Sequence, residues 1–428
     1  MYTQQPLPDT QKQPVVPNRR GPRRSLLIIA TILLTAGLIS LVAFIILPWA
    51  FALQHIDRLQ LVSQKTAQSQ HPVVSQEHPH AQPTVVPTST TQATQLASQI
   101  DSLLAGRVAQ HTFSGSVLIA RDGQVLLEKG YGMANWSNQL SNDVNTRFYL
   151  GSVTKEFTAT ALLILQQQGK LDVKKSICVY ITPCPAPWQP VTLHEILTHT
   201  SGIPELDTSE LSGASPAAWI ASFDASPLYF TPGSQFSYCS VCYQILAYVV
   251  EVVSGQPYAQ FLQQHIFDPL KMQTTGFDSA SYYAQSDHAN GYANWQVDAG
   301  QLGWAVSPDW TFLFGSGLLY TTVGDIYRWD QGLDAHTLLS KQTQDLAYVA
   351  YSPTSLFEGS GYGYGWFIAQ SPVAGHRLIW HDGVIDGFRT YNGRYLDDNV
   401  TIIFLSNLAT LDSLSLAHSL EQVIFSTH

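Results

Sequence analysis

Charge is scarce in this sequence. Only 12% of its 428 residues are Asp, Glu, Lys or Arg, with a net charge of −10, whereas about 25% is typical of soluble proteins. An acidic chain this poor in cations lacks the clustered Lys and Arg that phosphate binding requires, which excludes nucleic acid as the main partner. Cysteine is scarce as well, with four residues, too few for a disulfide scaffold. No internal repeat is present, so a repeat architecture is excluded. The low charge does not signal disorder: 45% of residues are hydrophobic, including 10 Trp, 20 Tyr and 18 Phe, ample material for a core.

Part of the deficit lies near the N-terminus. Ser25 to Ile56 contains no Asp, Glu, Lys or Arg, and Leu26 to Leu47 is an unbroken run of apolar and small residues. At about 1.5 Å per residue this gives roughly 33 Å of helix, enough to cross a hydrocarbon layer of about 30 Å. Arg19, Arg20, Arg23 and Arg24 precede it. By the positive-inside rule they stay in the cytoplasm and the rest of the chain is exported. Ala50-Phe51-Ala52 resembles a signal-peptidase site, but the apolar run exceeds the roughly 7–15 residues of a signal peptide, so an uncleaved anchor is expected. The expected organisation is a basic cytoplasmic tail (1–24), a transmembrane anchor (25–53), a stalk (54–96) and one large extracytoplasmic domain (97–428). The stalk holds nine Gln and four Pro without an apolar period, the composition of a flexible linker. Its His55, His71, His78 and His80 read as solvated polar residues rather than a metal tract.

In the domain, Ser116 to Ala120 and Gln124 to Leu127 are strand-like around a hairpin signal, Asp122-Gly123. Leu96, Ile100, Leu103 and Leu104 share one helical face, and Thr154–Gln168, Tyr243–Val253 and Leu414–Phe425 also read as helices. Strand-like runs return at Arg377–His381, Phe388–Tyr395 and Val400–Leu405. Strands at both ends with helix and loop between them predict an α+β domain whose chain ends share one antiparallel sheet.

Familiar catalytic patterns are missing. There is neither a G-x-S-x-G elbow nor a P-loop. His194 and His199 are five residues apart, and a zinc pair on one helical face needs a spacing of four. No metal or cofactor is expected. What is present is Ser152-Val153-Thr154-Lys155; among nine lysines only Lys155 has a serine three positions earlier. Residues i and i+3 of a helix are neighbours, and a helix-opening serine sits at the positive end of the dipole. A lysine made neutral by burial can take the serine proton.

The surrounding segments are similar to the serine β-lactamase and penicillin-binding-protein superfamily, especially the branch holding class C β-lactamases, D,D-peptidases and related esterases. Leu150 to Thr158 resembles its nucleophile region. Val191-Thr192-Leu193 with Leu197 to Pro204 resembles its "T-x-x-x-L-L-T-H-T-S-G-L-P" loop, and Pro232-Gly233 with Phe236 to Ser240 its "P-G…F-x-Y-S-N" element. Asp268 to Met272 resembles "x-P-L-G-M". His381-Asp382-Gly383 with Gly387-Phe388 is similar to its "H-T-G…P-G-F" strand. The resemblance implies a sheet flanked by helices with a mostly helical subdomain. It implies Ser152 as nucleophile, Lys155 as its activating partner, Tyr238 as phenolic acid/base and His381 in place of the lysine of K-T-G. Ser240, Gly383 and Val384 would contact substrate, with the amides of Ser152 and Val384 forming the oxyanion hole.

Three positions depart from the pattern: Ser240 stands for Asn, Asp382 for Thr and Asp386 for Pro. Asp382 makes a substrate carboxylate less welcome. The expectation is a membrane-anchored serine hydrolase acting on an amide or ester of a small molecule or peptide, cell-wall peptides included. Its rival is a catalytically silent relative that binds wall peptide or a protein partner. Cys178 and Cys184 flank a proline-rich loop and are expected to form a disulfide. Cys239 and Cys242 read as two buried thiols or a local bridge, ahead of a redox or metal site.

Overall fold

The computed structural model describes residues 90–205, 215–223, 226–277, 279–293, 315–355, 359–371, 373 and 375–426. The expected anchor and most of the stalk lie outside them. Among the described residues no helix is long and apolar enough to cross a membrane.

Helix α1 spans Thr90–Ala109, so residues 90–96 start a helix rather than end a stalk. Strands β1 (Gly115–Arg121) and β2 (Gln124–Tyr131) form the expected hairpin. Asp122 and Gly123 both have positive φ, 52° and 74°, the backbone that a tight hairpin turn needs. The later strands are β3 (Ser352–Pro353), β4 (Gly361–Tyr362), β5 (Phe367–Gln370), β6 (Arg377–Ile385), β7 (Phe388–Tyr395) and β8 (Val400–Ser406). Together they make one antiparallel sheet in the order β2-β1-β8-β7-β6-β5-β4-β3. Among the described residues the first and last strands meet as β1 and β8, the closure expected from sequence.

Side chains alternate across this sheet with period two. Val117, Ile119, Ile402 and Phe404 face one core with Leu96, Ile100 and Leu104 of α1 and Leu416, Leu420 and Ile424 of α6 (Ser413–Phe425). Leu118, Ala120, Ile403 and Leu405 face a second, larger core. That core includes α2 (Thr154–Gln167), α4 (Ser240–Ser254) and α5 (Val323–Asp334). Burial on both faces explains why β8 reads as an apolar run without alternation.

Helix α2 is buried on all sides from Thr154 to Leu165, the condition of a helix at the centre of a large domain. The short α3 (Leu193–Leu197) carries a capping box between Thr192 and Glu195. The glutamate of the zinc-like pattern therefore satisfies backbone donors at a helix start. Helix α4 begins three residues before the expected Tyr243, with Cys239 as its N-cap.

Candidate active site

Ser152 lies in a single 3-10 turn, Gly151–Val153, that runs into α2. Two hydrogen bonds fix the residue before it: the Leu150 amide donates to Leu319 O at 2.7 Å, and Thr390 Oγ1 donates to Leu150 O at 2.6 Å. Strand β6 pairs with β5 only as far as Trp380. Beyond it, the Ser152 turn packs against β6. Gly383 allows this approach, because a Cβ there would lie 1.8 Å from Leu150 O. Gly383, expected at the substrate, thus serves close packing beneath the nucleophile.

Lys155 is one turn along the chain and fully buried. Its Nζ lies 2.9 Å from Ser152 Oγ and donates to Ser316 O at 3.0 Å. It also sits 4.9 Å from the centre of the Tyr238 ring. Burial pulls the Lys155 pKa down to about 7, although Glu205 and Asp382 act to raise it. Near neutrality much of the amine is uncharged, with one lone pair free for a proton.

Tyr238 as a whole residue is 37% exposed. Burial of its phenol nevertheless holds its ionisation well above the ordinary value, outweighing the favourable neighbour Ser152, and Asp382 adds to the effect. At rest Tyr238 is therefore a neutral phenol beside Ser152.

His381 departs from expectation more clearly. Its ring centre is 6.2 Å from that of Tyr238, but both nitrogens are engaged elsewhere. Nε2 is 3.1 Å from Tyr362 Oη, and Nδ1 is 2.7 Å from Asp382 O. Burial and the nearby Lys155 push its pKa down to about 3. His381 is a neutral hydrogen-bonded core residue, whereas a lysine at this place would bring charge.

The cleft above Ser152 has a volume of about 320 Å³ and is lined by Ser240, Ser316, Val384, Asp386 and Arg389, among others. Val384 is 56% exposed. A Cβ on Gly151 would come within 2.7 Å of Val384 N, so the turn and the β6 amide lie side by side. Ser240 lines the cleft as the first residue of α4.

Several residues of the site escaped sequence reasoning. Gln244 pins the Ser316 segment, donating to Ser316 Oγ and accepting from Gly315 N at 3.1 Å. Glu205 accepts from the Val241 amide at 3.3 Å, at the start of α4. Neither belongs to a motif; only the fold brings Glu205 near Lys155 and sets Gln244 on the segment whose Ser316 carbonyl Lys155 uses. Cys178 and Cys184 form the expected disulfide; Cys239 and Cys242 form a second, the local-bridge alternative. Among the described residues no cluster of His, Cys, Asp or Glu could hold a metal ion.

Comparison with known proteins agrees with this fold. Residues 100–421 match the beta-lactamase family model. The chain is 32% identical over 297 residues to a putative penicillin-binding protein, PbpX, of Bacillus subtilis, covering 69% of this chain and 71% of that protein. The octameric penicillin-binding protein homologue of Pyrococcus abyssi superposes with a TM-score of 0.67 at 25% identity, covering 77% of each chain. The D-amino acid amidase of Ochrobactrum anthropi has a TM-score of 0.68 at 20% identity, covering 78% of this chain and 100% of the amidase; it shares the fold.

Proposed function

The chain belongs to the beta-lactamase family of serine hydrolases, and from that premise we propose that it hydrolyses an amide or ester through an acyl-enzyme on Ser152. The observation that carries the reading is the 2.9 Å contact between Lys155 Nζ and Ser152 Oγ, made by a lysine whose pKa burial has brought to about 7. A nucleophile needs such a partner within hydrogen-bond reach and with matched basicity.

In this mechanism the neutral Lys155 takes the Ser152 proton as Oγ attacks the substrate carbonyl. The amides of Ser152 and Val384 receive the developing oxyanion, where preorganised donors act most strongly. Tyr238, a neutral phenol, gives its proton to the leaving nitrogen or oxygen and regains one from the Lys155 ammonium. Water then attacks the acyl-enzyme along the same path in reverse. The neutral His381 offers no fixed cation for a substrate carboxylate. That supports D-amino-acid amidase or esterase chemistry, whose substrates need no carboxylate at that place, ahead of β-lactams and of the peptides ending in D-alanine that a D,D-peptidase takes. The apolar run at 25–53 and the arginines before it support a membrane-anchored, extracytoplasmic enzyme acting on small molecules or peptides near the cell envelope.

The test is covalent labelling of the full-length protein with a fluorophosphonate and a fluorescent penicillin, with Ser152→Ala as control. Label on the wild type and none on the variant is the expected result. No label on folded wild-type protein from either reagent would replace the enzyme with a binding protein. Turnover of short acyl esters, D-alanyl peptides and nitrocefin then ranks the substrates.

A further inference from the structure

Tyr238 lies in a stretch, 226–239, without helix or strand, so its aim has to come from elsewhere. Its two chain neighbours are both tied to a single residue, His199. The Ser237 amide donates to His199 O at 2.8 Å, and the Cys239 amide donates to His199 Nδ1 at 3.1 Å. The His199 ring lies against the Tyr238 ring, centre to centre 4.3 Å and tilted by 34°. The rings of Tyr243 and Tyr362 stand 5.1 and 4.6 Å away on the same imidazole.

Cys239 is held a second time. Its disulfide to Cys242 ties the residue between Tyr238 and Ser240 to the first turn of α4. The Cys242 amide also donates to Cys239 Sγ at 3.2 Å, and Ser201 Oγ lies 3.5 Å from Cys242 Sγ. Both cysteines are buried, at 3% and 0% exposure.

His199 itself is suited to hold and unsuited to titrate. With Nδ1 accepting from an amide, the neutral ring carries its proton on Nε2, which is buried without a hydrogen-bond partner. Burial, Lys155 and His381 all push its pKa well below the usual value. Its backbone is left-handed, φ 58°, a conformation that a residue other than glycine keeps only when its surroundings impose it.

We propose that His199 and the Cys239–Cys242 disulfide form one positioning device for Tyr238, holding its phenol against Ser152. The device rests on the acyl-enzyme reading given above, because it matters only if Tyr238 moves a proton there. It acts by preorganisation: a displacement of about 1 Å in a reacting group can cost about 100-fold in rate.

The test uses full-length protein and a p-nitrophenyl ester, with fluorophosphonate labelling to count active sites. Cys239→Ser/Cys242→Ala removes the bridge while a serine keeps the N-cap. His199→Asn tolerates the left-handed backbone and retains an acceptor for the Cys239 amide, but loses the ring. Each is expected to lower kcat roughly ten-fold or more, a share of the roughly 100- to 10,000-fold that a positioned acid/base supplies, with KM little changed. Removing the other bridge, Cys178→Ser/Cys184→Ser, should leave kcat unchanged. The decisive arm repeats the first two variants in a Tyr238→Phe background, where they should cost almost nothing further. Equal losses in both backgrounds, or no loss in either, would overturn the proposal. If the bridge-free variant does not fold, the His199→Asn pair decides by the same criterion. Unlabelled wild type would overturn the acyl-enzyme reading and this proposal together, whereas labelled wild type with unaffected variants overturns this one alone.

Discussion

A side chain on Gly151 would bring its first carbon to 2.7 Å from the amide nitrogen of Val384. The turn before Ser152 and the amide on β6 are thus packed as closely as backbone permits, and both donors of the proposed oxyanion hole depend on that packing. Gly151 also has φ +54°, so alanine meets a clash and an unfavourable backbone at once. Gly151→Ala is expected to slow acylation by about 100-fold or more, the scale of one lost oxyanion donor. Stopped-flow labelling by fluorophosphonate measures it. A variant that acylates at the wild-type rate would remove Val384 N from the mechanism.

The pH dependence follows from Lys155. As a base it must be neutral, and its pKa is about 7. Activity should therefore be low below pH 6, rise through about pH 7 and level off above it. Glu205 and Asp382 both favour the charged ammonium. Replacing Glu205 by Gln removes one of these charges and should move the rising limb to lower pH. The kcat/KM profile of the two proteins checks the sign. A shift toward higher pH would contradict the assignment of that limb to Lys155.

The fold and the pairing of Ser152 with Lys155 were largely legible in the sequence, for physical reasons. The S-x-x-K spacing depends only on helix geometry, and the hairpin at Asp122-Gly123 only on local backbone. The strands β3 to β5 at one side of the sheet were not legible: β3 and β4 are two residues each, and β5 is four, too short to show alternation. Helix α5 also passed unread, although its Thr322 cap accepts from the Asp325 amide. The motif position of His381 suggested a stand-in for lysine, while burial and the nearby Lys155, which only the fold supplies, leave it neutral. Glu205 acts on Lys155, and Gln244 on the Ser316 segment beside it, only through tertiary structure, which no local pattern reports.

The Cys178–Cys184 bridge closes a short loop, its ends separated by six in sequence. Chain entropy alone assigns such a cross-link about 2 kcal/mol. The bridge packs against the larger core from partly buried positions, and neither cysteine lines the Ser152 cleft. Cys178→Ser/Cys184→Ser should therefore lower Tm by several degrees and leave active-site labelling complete. Differential scanning fluorimetry beside the labelling assay separates the two. Unchanged Tm in non-reducing buffer would mean that the bridge does not form.

Glu421 on α6 is 2% exposed, and its Oε1 is buried without a hydrogen-bond partner. Burial pushes its pKa up to about 7. A carboxyl with a raised folded pKa favours the folded state while protonated. That contribution is complete below the unfolded value near 4.5 and is lost as pH rises to and beyond 7. Glu421→Gln fixes a neutral side chain of the same shape. It should raise Tm at pH 8 by roughly a few degrees, and the difference should shrink as pH falls toward 5. Thermal unfolding of both proteins across pH 5–8 measures this. An equal Tm difference at every pH would show that the charge of Glu421 is not what the fold resists.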